Sequence, residues 1–327
     1  MNKILAPLYP ALTPFISEII ESGANSFYYG FINLEQPSIT TRRPSYSRSN
    51  SNTNYSGSNF VDKNEILITN YSEPNFIDKN EILLTISRLK SNNINTFLVF
   101  NEHYYNNNVS NFIEDYLIDI IELSDAVIIS NPVFFQKMIN LGAKRIIASV
   151  GTHIFNEGSI KFYKNIGADT IVIPRSVRTD EVVKFAKAFP ELEFEYLIFN
   201  EFCPFTDGLC RSFHGFPFQS ICHYTAISDK IGKYKPHGCR LCNLFDILRQ
   251  NNINLKIAGR GYDHEIIIKN VKVLNEIRAN KDIKNKIDFR DFVKNRYLNY
   301  FGDVCNLNCR KDDWVLYQNW KGKRIGV

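Results

Sequence analysis

Residues 126–174 read AVIISNPVFFQKMINLGAKRIIASVGTHIFNEGSIKFYKNIGADTIVIP. Three short apolar runs stand in this stretch: Ala126 to Ser130, Arg145 to Gly151 and Thr170 to Pro174. Between them, Pro132 to Leu141 and Glu157 to Ile166 carry apolar residues at helical spacing. A strand reaches a parallel neighbour only through a crossover, usually a helix, so the alternation predicts a parallel sheet. The punctuation agrees, with Asn131-Pro132 opening one helix and Gly142 and Gly167 following helix ends, where a left-handed residue is needed.

The same alternation extends in both directions. Upstream it predicts strands at Ile4 to Tyr9, Ser26 to Ile32 and Thr96 to Asn101, with helices near Leu12 to Ser22, Lys79 to Ser91 and Asn111 to Leu123. Gly23 follows the first of these helices. Downstream it predicts strands at Phe194 to Asn200 and Asn254 to Gly259, with helices near Asp180 to Phe189, Asn243 to Asn251 and Glu265 to Arg278. Eight strands and eight helices in alternation predict an α/β fold, a (βα)8 TIM-type barrel over residues 1–278, followed by a C-terminal extension at 279–327.

Two insertions interrupt the pattern. Residues 36–85 begin as a polar tract and run into a tandem repeat, in which the sixteen residues from Asn54 to Thr69 recur at 70–85 with four changes. Two copies do not make a solenoid, and this reads as a local duplication. The second insertion, 202–242 after strand seven, is rich in cysteine and too long for an ordinary loop, which marks it as functional or disordered.

Of the 327 residues, 44% are hydrophobic and 22% charged, which excludes disordered, collagen-like and coiled-coil classes. The net charge of +5, from 39 basic and 34 acidic residues, is too small to argue for nucleic acid by itself. No run of 18 apolar residues and no leader pattern is present, so the expectation is a soluble, cytoplasmic protein without a membrane span. Seven cysteines in such a compartment are expected to stay reduced.

All seven cysteines lie beyond residue 202. Five follow the spacing Cys203-x6-Cys210-x11-Cys222-x16-Cys239-x2-Cys242, with His214, His223 and His237 among them, and Cys305 and Cys309 lie in the tail. Clustered thiolates suit zinc or an iron-sulfur cluster, both of which take soft sulfur ligands. Only Cys239 and Cys242 have the close spacing of a structural zinc pair, and wide loops around single cysteines favour iron-sulfur. The tail pair is either unliganded or part of a separate zinc site with Cys242 and a histidine such as His237.

In a (βα)8 barrel the chemistry gathers at the C-terminal ends of the strands. The residues there are Asn101-Glu102-His103, Thr152-His153, Arg175, Glu201 and Arg260. Glu102, His103, His153, Arg175, Glu201 and Arg260 are the candidate substrate-binding residues; Arg175 and Arg260 suit a carboxylate through their guanidinium forks, with a salt bridge to Glu102 or Glu201 as the plain alternative.

Several stretches together resemble the peptidase U32 family. They are Lys3-Ile4-Leu5-Ala6-Pro7, Glu21-Ser22-Gly23-Ala24-Asn25-Ser26-Phe27-Tyr28-Tyr29-Gly30, Arg42-Arg43-Pro44, Cys203-x6-Cys210 and Leu255-Lys256-Ile257-Ala258-Gly259-Arg260. The resemblance implies oxygen-independent hydroxylation: of ubiquinone precursors in the UbiU/UbiV type, or of transfer or ribosomal RNA bases in other relatives. It also implies a 4Fe-4S cluster at the barrel mouth on Cys203, Cys210, Cys222 and Cys239, with Cys242 as substitute for the fourth ligand. One departure is plain: Ala258 stands where the family carries a glutamate.

The functional expectation is therefore an iron-sulfur protein that hydroxylates a small aromatic or quinone precursor or a nucleobase of RNA, served by an electron donor or acceptor protein and paired with a partner of its own family. The alternatives are a peptidase, the activity that named the family, and a noncatalytic cluster-bearing subunit. For the peptidase the sequence offers neither His-Glu-x-x-His nor Gly-x-Ser-x-Gly.

Overall fold

The computed structural model describes residues 2–31, 76, 78–101, 113–201, 237–258 and 262–302. Nine strands are present among them: β1 (Ile4–Leu8), β2 (Ser26–Tyr29), β3 (Asn95–Phe100), β4 (Ala126–Ile129), β5 (Ile146–Ala148), β6 (Thr170–Ile173), β7 (Glu193–Glu201), β8 (His237–Cys239) and β9 (Ile253–Ile257). β1 to β7 pair in parallel in chain order, β9 pairs in parallel with both β7 and β1, and the eight parallel strands close into a barrel. The ninth, β8, pairs antiparallel with the C-terminal end of β7.

The crossovers are helical. They are α1 (Ile16–Glu21), α2 (Lys79–Ser91), α3 (Ile118–Leu123), α4 (Phe134–Asn140), α5 (Glu157–Asn165), α6 (Thr179–Ala188), α7 (Leu244–Ile247) and α8 (His264–Ala279), and α9 (Lys286–Phe301) follows in the extension. α2 spans the predicted residues, since Asp78 caps it by accepting from the Asn80 N–H at 2.8 Å and Arg88 and Lys90 sit in its last turn. Gly23 takes φ 117°, closing α1, and the Asn275 side chain lies where a Cβ would stand.

Several predicted elements are shorter than their sequence pattern. The first helix begins as a 3-10 turn at Pro10–Phe15, the third as a π turn at Ile113–Leu117. β5 stops at Ala148 because the chain tightens into a 3-10 turn at Val150–Thr152, held by the Thr152 hydroxyl donating to the Ser149 carbonyl at 2.7 Å. The 36–75 tract lies outside the described residues. Its flanks lie side by side: Phe31 bridges to Phe76, whose N–H donates to the Gly30 carbonyl at 2.9 Å.

Both faces of the barrel wall are buried, and the alternation of side chains divides them into two cores. Leu5, Tyr28, Phe97, Ile128, Val172 and Leu197 are among those that fill the barrel. Ile4, Tyr29, Phe100, Ile129, Tyr196 and Ile257 are among those that face the helices. Tyr29 hydrogen-bonds the Ser124 hydroxyl at 2.5 Å, and burial pushes its phenol well above the ordinary tyrosine range.

The N-terminal end of the barrel is closed by a polar network on Glu193. Arg145 lies 3.0 Å and Lys3 3.6 Å from its carboxylate, and Asn254 Nδ2 donates to it at 3.1 Å. Burial acts on Glu193 to raise its pKa, but Arg145, Lys3 and Asn254 outweigh it and hold the carboxyl below the usual glutamate value. A carboxyl depressed in the folded state contributes stability at pH values above its unfolded pKa of about 4.3, and that contribution disappears as pH falls through the folded value. Glu193→Gln is thus expected to lose less stability than the parent on acidification below about pH 4.3. Urea unfolding of both proteins at neutral and acidic pH checks this, and equal acid sensitivity would refute it.

Candidate functional site at the barrel mouth

The parallel strands all point their C-terminal ends to one mouth, and both long insertions leave from it. The 32–75 tract departs beyond Phe31 at the end of β2 and returns at Phe76. The cysteine-rich segment departs after Glu201 and returns at His237, and the backbone ladder Phe199↔Cys239, Asn200↔Gly238, Glu201↔His237 ties its two ends together. The Arg240 N–H extends that ladder by donating to the Ile198 carbonyl at 3.0 Å.

Two of the ligand candidates fall on described residues. Cys239 is half-buried on β8, opposite Phe199, and packs against the helix-side core. Cys242 sits in the 3-10 turn Leu241–Asn243 and is buried beside Leu241 and Leu244 in that core. Both thiols have the soft donor atom that an iron-sulfur or zinc site takes. Cys203, Cys210 and Cys222, like Cys305 and Cys309, lie outside the described residues. The Phe199 ring also meets Phe301, the last residue of α9, at 6.2 Å between centroids, so the tail departs beside the strand carrying Cys239.

Of the rim candidates, His153 and Arg175 follow the ends of the neighbouring strands β5 and β6. His153 adopts φ 58°, a left-handed conformation uncommon for a residue with a Cβ. Arg175 is half-buried in the turn before α6. Glu201 closes β7 at the same end. Glu102, His103 and Arg260 lie outside the described residues.

Sequence reasoning placed Asn101 at this end without making it a binding candidate, and it missed Ser130, Ser176 and Arg240. Asn101 Oδ1, Ser130 Oγ and Ser176 Oγ are buried with no hydrogen-bond partner among the described residues. Arg240 is 6% exposed, lies over the Tyr196 ring at 4.8 Å from its centroid, and offers Nη1 and Nη2 to no acceptor among the described residues. The available signals were the positions of Asn101, Ser130 and Ser176 just after strands, and of Arg240 inside Cys239-x2-Cys242.

Inside the barrel, Lys256 Nζ meets Glu195 Oε2 at 2.5 Å, with side chains 8% and 2% exposed. The ammonium also lies 4.6 Å from the centroid of the Tyr28 ring, whose hydroxyl donates to the Ile257 carbonyl at 2.7 Å. Ala258, at the glutamate position of the sequence resemblance, is 4% exposed and faces the barrel interior, so a methyl group stands at that point of the lumen.

Comparison with known proteins agrees with this architecture. The model of Peptidase family U32 matches residues 71–215, an interval that reaches through Cys203 and Cys210. The tRNA hydroxylation protein P of Haemophilus influenzae is 27% identical over 116 residues, 35% of this chain. Residues 71–215 are thus similar to peptidase family U32. That relative is longer: the match spans 25% of its length. Among solved structures, the U32 peptidase Mk0906 is similar in fold, with a TM-score of 0.50 at 7% identity, covering 79% of this chain and 93% of that one. Tryptophan synthase subunit alpha from Legionella pneumophila is matched over 92% of this chain at 10% identity and a TM-score of 0.41. Among the described residues, no helix is long and apolar enough to cross a membrane.

Proposed function

We propose that this protein is an iron-sulfur protein of oxygen-independent hydroxylation, acting on a nucleobase of RNA or on an aromatic or quinone precursor at the barrel mouth. The observation that supports it is the stretch shared with a relative named for tRNA hydroxylation. Cys203, Cys210, Cys222 and Cys239 would hold a 4Fe-4S cluster as thiolates. Such a cluster supplies electron transfer, and Lewis acidity where one coordination position is open. The chain's own residues do the rest. Arg175, joined by Arg260, would fix an anionic group of the substrate, and the apolar lumen around Leu197 and Val99 would keep water from the floor of the mouth. An electron donor or acceptor protein would complete the cycle, in the cytoplasm, where thiols stay reduced.

Protein purified without oxygen is expected to be brown and to contain iron and acid-labile sulfide in near-equal amounts. Colourless protein holding stoichiometric zinc would overturn the cluster. Hydrolysis of a peptide substrate by metal-free protein would favour the peptidase reading instead.

A further inference from the structure

β3 places Phe97 and Val99 in the barrel interior, and β4 places Ala126 and Ile128 there. Strand alternation carries the same inward face to Asn101 and Ser130. The β3–β4 register runs from Phe97↔Ala126 to Phe100↔Ile129, so Asn101 and Ser130 are the next pair across, at the mouth. Ser130 is 4% exposed, and both its Oγ and Asn101 Oδ1 are buried without a hydrogen-bond partner among the described residues. A buried oxygen left unpaired destabilises a fold. Two of them, side by side at the end of the barrel where ligands bind, are what a site looks like before its ligand provides the missing partners.

We propose that Asn101 and Ser130 form a hydrogen-bonding subsite for a planar group that carries an N–H donor beside a carbonyl or ring-nitrogen acceptor, the edge of a cyclic amide. The carboxamide oxygen only accepts, so its partner must donate. The serine hydroxyl is free to turn and donate to the neighbouring acceptor. A phenol can satisfy one of the two, but a ring without the adjacent donor and acceptor leaves the other unpaired in a buried site, which is where discrimination is largest. This inference rests on reading the mouth as the substrate site, and it does not require a cluster to be present.

The test uses the full chain, with 2-pyridone as the cyclic-amide probe and N-methyl-2-pyridone and phenol as comparators, followed by ligand-observed NMR titration. 2-Pyridone is expected to bind saturably, in the weak range set by so small a molecule, and the comparators at least roughly tenfold less tightly. Ser130→Ala and Asn101→Leu should each weaken 2-pyridone binding by roughly tenfold. Both variants should unfold at or above the temperature of the parent, because each removes an unpaired buried oxygen. Absence of saturable 2-pyridone binding, equal binding of the three probes, or unchanged affinity in both variants would overturn the subsite. So would a fall in unfolding temperature in both variants, which would make these oxygens structural. Selective binding by iron-free protein would retain the subsite and count against the hydroxylation reading; iron with sulfide but no selectivity would do the reverse.

Discussion

Replacing Lys256 by methionine is expected to lower the unfolding free energy by about 3–5 kcal/mol, among the largest effects of any single substitution in this barrel. The methionine conserves length, so packing against Tyr28 survives, and the loss comes from Glu195. Its carboxylate, on a side chain 2% exposed, would keep a buried negative charge with its cation gone. Glu195→Leu should be comparably damaging, because it strands the ammonium in the same way. The double variant Lys256→Met with Glu195→Leu removes both charges and is expected to recover most of the loss, since a desolvated pair gains little over apolar side chains of similar volume. Urea unfolding of the four proteins closes the cycle. Single variants that each cost under about 1 kcal/mol would show that the pair is hydrated, contrary to its burial.

Serine at Cys203, Cys210 or Cys222 is expected to abolish cluster binding, with iron and sulfide falling to background and the colour lost, because a hydroxyl is a poor ligand for iron compared with a thiolate. The fourth position is where Cys239 and Cys242 are separated by prediction. Cys242 is buried in the helix-side core, whereas Cys239 is half-buried at the foot of the segment. Cys239→Ser should therefore lose the metal. Cys242→Ser should keep it and instead destabilise the helix-side core by about 1 kcal/mol, because it buries a more polar hydroxyl where the thiol packs. Cys305→Ser should spare the cluster. Iron analysis after anaerobic purification decides each case, and loss of iron from the Cys305 variant together with its retention at Cys222 would reverse the assignment.

The helices with complete local signals were the most legible. α2 matches its predicted bounds because Asp78 and the basic last turn lie within one segment. α9 was not foreseen within the extension, although Asn285 caps it by accepting from the Asp288 N–H and Gly302 ends it at φ 72°. Its apolar side chains at Phe289, Val293, Tyr297 and Phe301 recur every fourth residue, a signal that was present and not used. The helix predicted over Asn243 to Asn251 shrinks to α7 for a tertiary reason. Its end is followed by Asn252, whose side-chain amide donates to the carbonyls of Ala186 and Leu192 and ties the chain to α6.

The candidate site divides along the same line. The cysteine clustering and the strand-end polar residues were visible from residue type and spacing. The strand β8 was not: with three residues it has no periodicity, and it forms only because the end of β7 offers it backbone partners across the mouth.

By itself the sequence determined that strands and helices alternate eight times, and hence that the strands run parallel and their C-terminal ends share one mouth, because periodicity and caps are local properties and a crossover leaves no other geometry. Only the tertiary structure decided which face of each strand looks into the barrel. Alternation along Asn254-Leu255-Lys256-Ile257 says that Asn254 and Lys256 lie on one side, and on an ordinary sheet that polar side would face water. Closure of the barrel turns it inward, and the ammonium is buried where Glu195 of the adjacent β7 can meet it. The pairing of β3 with β4 sets Asn101 beside Ser130 and leaves their oxygens without a partner among the described residues, a juxtaposition that no reading along one strand contains.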